Sequence, residues 1–356
     1  MTKSVSIHIR GHDHRPVIRL FGARLSLRIG IRTAVTAMLL ALAACGIGLI
    51  SLASGTYAVP LHDVLGVLLG YADAGDDVVR TVVIEWRLPR VALALLLGGA
   101  LGMSGAIFQS LTRNPLGSPD IIGFSAGSYT GALIVMLLFS GGYYETAAGA
   151  LVGGIMTAAT VYILAWCRGV QGFRLIVVGI GIAAMLSAFN TWMIRDAELQ
   201  VAMSAAIWGA GSLNGLGFEQ LLPVAIVLLA IIPASCLLSR PLRQLEMGDD
   251  VACASGVDVN LARFLLMVLG VALTAIVTAA AGPISFIALA APQIARRLTQ
   301  SAGPVLVASA FMGGLLLLAA DWAAQHALGV QVPVGGMTVS IGGLYFLFLL
   351  VREGRK

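Results

Sequence analysis

Charge is what this 356-residue chain has least of: 11% of its residues are Asp, Glu, Lys or Arg, against about 25% in soluble domains. With 58% hydrophobic residues it cannot cover a water-soluble globule, and a soluble enzyme is excluded. Lysine occurs only at Lys3 and Lys356. A phosphate loop of the Gly-x-x-x-x-Gly-Lys-Ser/Thr kind needs a lysine within the domain, so ATP is not hydrolysed here by that route. Five histidines and four cysteines form no metal-ligand or catalytic pattern. No charge stands near the middle of a long apolar run, where ion- and proton-coupled transporters keep carboxylates, His or Arg. The apolar/polar alternation over about 10 residues that marks a membrane barrel is also missing.

What is present is a series of uncharged blocks long enough for helices across a hydrocarbon core of about 30 Å. The block 264–295 is too long for one span and carries Gly282-Pro283, a pair that breaks a helix; it reads as two spans and a short turn. The block 199–218 holds Gly209, Gly211, Ser212, Asn214, Gly215 and Gly217. Its helical part is too short to cross, which predicts a half-helix at one face. Ten spans result, near 33–53, 91–112, 121–139, 146–167, 174–194, 220–239, 262–281, 284–298, 304–321 and 336–351. The expected fold is an all-α integral membrane protein with both termini cytoplasmic. Of the 22 positive residues, 18 then lie inside and only Arg80, Arg87, Arg90 and Arg195 outside, as the positive-inside rule asks. Were 199–218 a span, the balance would reverse to 10 against 12.

The domain reading is a basic cytoplasmic tail over 1–32, a membrane domain over 33–351 and a short tail over 352–356. Leu42-Ala43-Ala44-Cys45 has the look of a lipoprotein signal, but the apolar run continues through 53, as a span requires. Cys167, Cys236 and Cys253 read as small apolar fillers near the cytoplasmic side, where disulfides are rare. His8, His12, Asp13 and His14 fall in a tail without regular pattern, expected to be disordered. Asp120, Glu145 and Asp321 stand at span ends, where headgroup exposure or capping accounts for them. If the chain pumps, its energy has to come from another subunit, and the cytoplasmic loop at 240–263 is where one would attach; read alone, it is only an ordered loop. Two short helices fit it, 245–255 and from Val259 onward, separated by Gly256 as a left-handed cap. Glu246, Asp249 and Asp250 suit the positive end of the first.

Arg87-Leu-Pro-Arg90 leading into the glycine-rich run from Gly98 to Asn114-Pro115-Leu116-Gly117, the Glu246-Met247-Gly248-Asp249-Asp250 loop, Ala281-Gly-Pro-Ile-Ser-Phe286 and Val332-Pro333-Val-Gly335 carry a resemblance over nearly the whole chain. They closely resemble the permease family of bacterial iron-siderophore, haem and vitamin B12 ABC importers (FecCD type). Within it, 173–176, 188–192 and 211–215 are most similar to one permease type of ferric enterobactin importers.

The resemblance implies a type II ABC importer permease fold in the bacterial inner membrane, moving a ferric siderophore inward. It implies several partners: a second homologous permease, an ABC ATPase dimer that binds the ATP and Mg, and a periplasmic siderophore-binding protein. No cofactor or metal is expected on this chain, and no nucleic-acid partner; membrane lipid surrounds it. Coupling helices at about 240–262, with Glu246, Met247, Gly248, Asp249, Asp250, Ala254, Gly256 and Val257, would sit against the ATPase. Arg87 and Arg90 match arginines that receive acidic residues of the binding protein, a task suited to guanidinium forks; read alone, they snorkel or pair with Glu85. Some relatives carry a further docking arginine near the outer end of the ninth span, where this chain has Gln325. Asn114, Pro115, Leu116, Gly172 and Phe173 would form cytoplasmic gates, although Asn before Pro also ends a helix by itself. The glycine clusters let helices approach closely. A hydroxamate, haem or cobalamin cargo, and ion-coupled secondary transport, remain rival readings.

Overall fold

The computed structural model describes residues 6–8, 17–20, 25–28, 30–70, 77–120, 123–166, 172–327, 329 and 331–353. Each long uncharged block has become helix. The helices are α1 (Ile31–Ala53), α2 (Leu61–Leu69), α3 (Asp77–Arg80), α4 (Leu88–Thr112), α5 (Phe124–Ile134), α6 (Tyr143–Ala165), α7 (Gly172–Arg195) and α8 (Leu199–Gly209). They continue with α9 (Phe218–Leu237), α10 (Ser239–Met247), α11 (Asp249–Ala254), α12 (Val259–Ala281), α13 (Ile287–Thr299), α14 (Leu306–His326) and α15 (Val334–Glu353). Among the described residues, 7 helices are long and apolar enough to cross a membrane. The segment 199–209 is an 11-residue helix, as its glycine-rich second half predicts.

Two stretches wind wider than an α-helix. Residues Thr81–Arg87 form a π-helix joining α3 to α4, and Val135–Phe139 extend α5 in the same way. The first lies just before Pro89, which has no N–H to donate and crowds the preceding turn. A π turn lets the helix pass that point without stopping, so Asp77–Thr112 runs unbroken for 36 residues.

α4 is the axis of the bundle. In its most apolar window 83% of residues are buried, against 11% in α7 and 17% in α9. Small residues allow this: a Cβ at Gly98 or Gly102 would run into the backbone carbonyls of Gly313 and Ser309 on α14, and one at Gly105 into that of Ala288 on α13. Backbones this close gain dispersion contacts that larger residues would prevent. Polar side chains pin the same axis. The Ser104 hydroxyl lies 2.7 Å from the Gly270 carbonyl and 2.9 Å from Thr274 Oγ1, both on α12.

The break expected at Gly282-Pro283 is present, with Gly282 at φ 74 and Phe286 at φ 70, and α13 after it is only 13 residues long. At the N-terminus the finding differs from the irregular tail expected. β1 (Ser6–His8), β2 (Val17–Leu20) and β3 (Leu25–Arg28) pair as an antiparallel sheet in which Ile7, Ile18 and Leu27 are partners. The runs Ser6-Ile-His8 and Leu25-Ser-Leu-Arg28 alternate polar with apolar residues, a signal too short to stand out among the charges around it. His12, Asp13 and His14 lie outside the described residues.

Candidate functional site at the two ends of the bundle

Helix ends collect into two charged regions. At one end lie the C-terminus of α4, the connection from α9 to α12, and the C-terminus of α13. The connection folds as two helices, but the break differs from the one expected. The chain bends at Gly248, whose φ of 129 and ψ of 153 suit only glycine, so 245–255 is not one helix. Glu246 therefore sits in the last turn of α10, where the helix dipole disfavours an acid. An ion pair with Arg296 of α13 compensates. Asp249 and Asp250 do occupy the first turn of α11. Gly256 has φ 82, the left-handed stop expected of it, and the Val257 N–H closes the turn on the Ala252 carbonyl at 3.0 Å.

The acids of this connection face different ways. Asp249 accepts from Arg113, at the end of α4, and from Arg263 of α12 at 2.8 Å. Partial burial acts to raise its pKa, but the hydrogen bonds and charges of the two arginines outweigh that and hold it below the usual carboxylate range. Arg113 also donates through Nε and Nη2 to the Leu245 carbonyl, at 3.0 and 2.8 Å. Met247, Asp250, Val251, Cys253, Ala254 and Gly256 face outward.

Beside this connection stand the two expected gate segments, and the structure brings them together. Arg113 takes φ 49 and ends α4. The Leu116 N–H then bonds the Asn114 side-chain oxygen at 2.9 Å, and the Gly117 N–H bonds the Asn114 carbonyl at 2.9 Å, so Asn114-Pro115-Leu116 is a tight turn. Gln293 of α13 donates to the Pro115 carbonyl at 2.8 Å. Gly172 opens α7 against the same place: a Cβ there would stand 2.9 Å from Thr112 Cα. Leu116 and Phe173 are both exposed.

At the other end, Arg87 donates to the carbonyls of Leu52 and Tyr57 at 2.7 and 2.6 Å. Arg90 forms a two-pronged pair with Asp321, Nε to Oδ2 at 2.9 Å and Nη2 to Oδ1 at 2.8 Å. These are the arginines' partners, not Glu85. Gln325 donates to the same carboxylate at 2.8 Å. Headgroup exposure therefore does not explain Asp321, whose side chain is 0% exposed; it is buried because it neutralises Arg90 across the α4/α14 contact. Glu145 does cap its helix, accepting from the Gly142 N–H, and Asp120 is bonded by the Ser125 hydroxyl. Arg113, Arg263, Gln293, Arg296 and Asp321 were not legible as site residues, because each partner lies on another helix. Of the cysteines, Cys45, Cys236 and Cys253 are unpaired, and Cys167 lies outside the described residues.

Among the described residues, seven membrane-length apolar helices packed around a small-residue seam, with ion pairs gathered at helix ends, define a multi-pass membrane protein. The FecCD transport family model matches residues 34–352, and the chain belongs to that family. It is 50% identical over 326 residues to the ferric enterobactin transport system permease protein of Escherichia coli (strain K12), covering 91% of this chain and 98% of the relative. It is 34% identical to the achromobactin transport system permease protein of Dickeya dadantii (strain 3937), covering 96% and 98%. Among solved structures, an inward-facing metal-chelate type ABC transporter superposes with a TM-score of 0.78 at 25% identity, over 90% of this chain and 99% of that one. As in these relatives, the chain is a transport component and not an enzyme.

Proposed function

We propose that this chain is the permease subunit through which a ferric siderophore of the enterobactin type crosses a bacterial inner membrane, driven by ATP hydrolysis in a partner ATPase dimer. The observation that carries this reading is the 50% identity to a ferric enterobactin permease over 98% of its length. In this reading the helices cross ten times with both termini cytoplasmic, and a second homologous permease completes the pathway. The arginine-rich end faces the cytoplasm, where the outward face of α10 and α11, with Met247, Asp250 and Ala254, meets the ATPase. ATP and Mg belong to that partner. Asn114, Pro115, Leu116, Gly172 and Phe173 close the foot of the pathway. A periplasmic siderophore-binding protein docks at the opposite end through its acidic residues. Arg87, whose partners are neutral carbonyls, keeps its full charge for that contact, whereas Arg90 beside it is already neutralised by Asp321. Iron stays inside its chelator as cargo, so the pathway needs no ligands for it.

The test is the reconstituted complex, both permeases with the ATPase and the binding protein, in lipid nanodiscs. Ferric catecholate presented by the binding protein is expected to stimulate ATP hydrolysis more than a ferric hydroxamate, haem or cobalamin does. Stimulation by one of the others alone would reassign the cargo.

A further inference from the structure

The family resemblance assigns the acids of the α10/α11 connection to the ATPase, yet two of the three are paired with arginines of their own chain. Glu246 is held by Arg296 and Asp249 by Arg113 and Arg263. Two of these arginines, Arg113 and Arg296, lead toward the turn at 114–116. Arg113 is the residue immediately before Asn114, and its guanidinium binds both the Leu245 carbonyl and Asp249. Arg296 lies one helical turn beyond Gln293, which holds the Pro115 carbonyl. The coupling helices and the turn are thus joined by two separate struts, one through Arg113 and one through α13.

We infer that Arg113 and the Glu246–Arg296 pair are positioning residues that transmit movement of the coupling helices to the Asn114-Pro115-Leu116 turn, and that Glu246 and Asp249 are not contacts for the ATPase. The inference rests on the transport reading above. Its physical basis is stiffness. A guanidinium fork bound to a backbone carbonyl and a carboxylate fixes both distance and direction, so a push on α10 and α11 displaces the turn instead of being absorbed by side-chain rotation. An acid serving as an ATPase contact would instead lie exposed, as Asp250 does, and would not be engaged by arginines of its own chain as Glu246 and Asp249 are.

The experiment uses the full complex in nanodiscs. Four readings are taken: ATPase attachment, hydrolysis rate, ferric chelate moved per ATP, and the distance between spin labels at Leu116→Cys and Phe173→Cys with and without trapped ATP. Arg113→Gln is expected to keep attachment and hydrolysis, to lower chelate moved per ATP about tenfold, and to flatten the ATP response of the label distance. Glu246→Arg is expected to uncouple, and adding Arg296→Glu to restore coupling, because the strut reforms with its charges exchanged. Loss of ATPase attachment in Arg113→Gln, unchanged chelate per ATP, or a charge exchange that fails to restore coupling would each overturn the inference. A wild-type complex whose labels respond to ATP but which moves no ferric chelate would sink the cargo reading and support the struts.

Discussion

Removing the carboxylate of Asp321 tests whether the end of the bundle that carries Arg87 and Arg90 is held as described. The side chain is wholly buried and receives both prongs of Arg90, whose own side chain is 18% exposed. Taking one member from a buried pair costs about 3–5 kcal/mol, because the other charge is left without compensation. Arg90 retains a little water, so Asp321→Ala is expected near the lower limit, about 3 kcal/mol. Replacing both, Arg90→Met with Asp321→Leu, removes the stranded charge and is expected to restore most of the loss. The assay is equilibrium unfolding of the purified protein from mild detergent by increasing SDS, with helix content as the signal. A cost below about 1 kcal/mol, the scale of an exposed ion pair, would refute the idea that this contact is desolvated and structural.

Four further outcomes are expected. Arg87→Glu should weaken binding-protein affinity far more at low than at high salt, and more than Arg90→Gln does; equal effects would return docking to both arginines. Gly102→Val should lose about 1–3 kcal/mol through overpacking against α14, visible as a lower melting temperature in detergent, and a neutral result would show that the seam can open. Reporter fusions after 253 should be active only in the cytoplasm; periplasmic activity would reverse the orientation. The Asp249 pair stabilises its loop above the unfolded carboxylate pKa of about 3.9 and loses that contribution as pH falls through a still lower folded value. A spin label on the exposed Cys253, in a background without the other cysteines, should therefore stay equally immobile from about pH 8 to pH 5 and loosen only below about pH 4. Loosening near neutrality would mean that Asp249 is not held by its arginines.

The length of uncharged apolar blocks and the placement of positive charge made the long helices legible, because a hydrocarbon core demands uninterrupted apolar runs whatever the tertiary arrangement. Their starts were harder. The helix through Arg90 begins at Asp77, well before the expected 91, because Asp77, Arg80, Glu85, Arg87 and Arg90 mark the end of an apolar block without ending a helix. α2, which buries Val64 and Val67 on one face, is too short to register among membrane-length runs. The turn at 114–116 and the stop at Gly256 were legible because their chemistry is local: Asn before Pro, and a glycine between two polar stretches. The struts were not. Arg90 and Asp321 are 231 residues apart and Arg113 and Asp249 are 136, and nothing in either neighbourhood says which partner the fold will deliver. The bend at Gly248 was missed because a helix readily tolerates one glycine in a sequence reading.

The unbroken helix from Asp77 to Thr112 has a consequence for regulation. It is a single rod on the order of 50 Å long, bearing Arg87 about 15 Å in from its Asp77 tip and Arg113 just past the other, and seated against α14 too closely to slip. Whatever tilts one tip must tilt the other. Under the proposed function, linkage then makes the traffic two-way: a binding protein arriving at one end would alter nucleotide affinity at the other, and nucleotide would alter binding-protein affinity by the same factor.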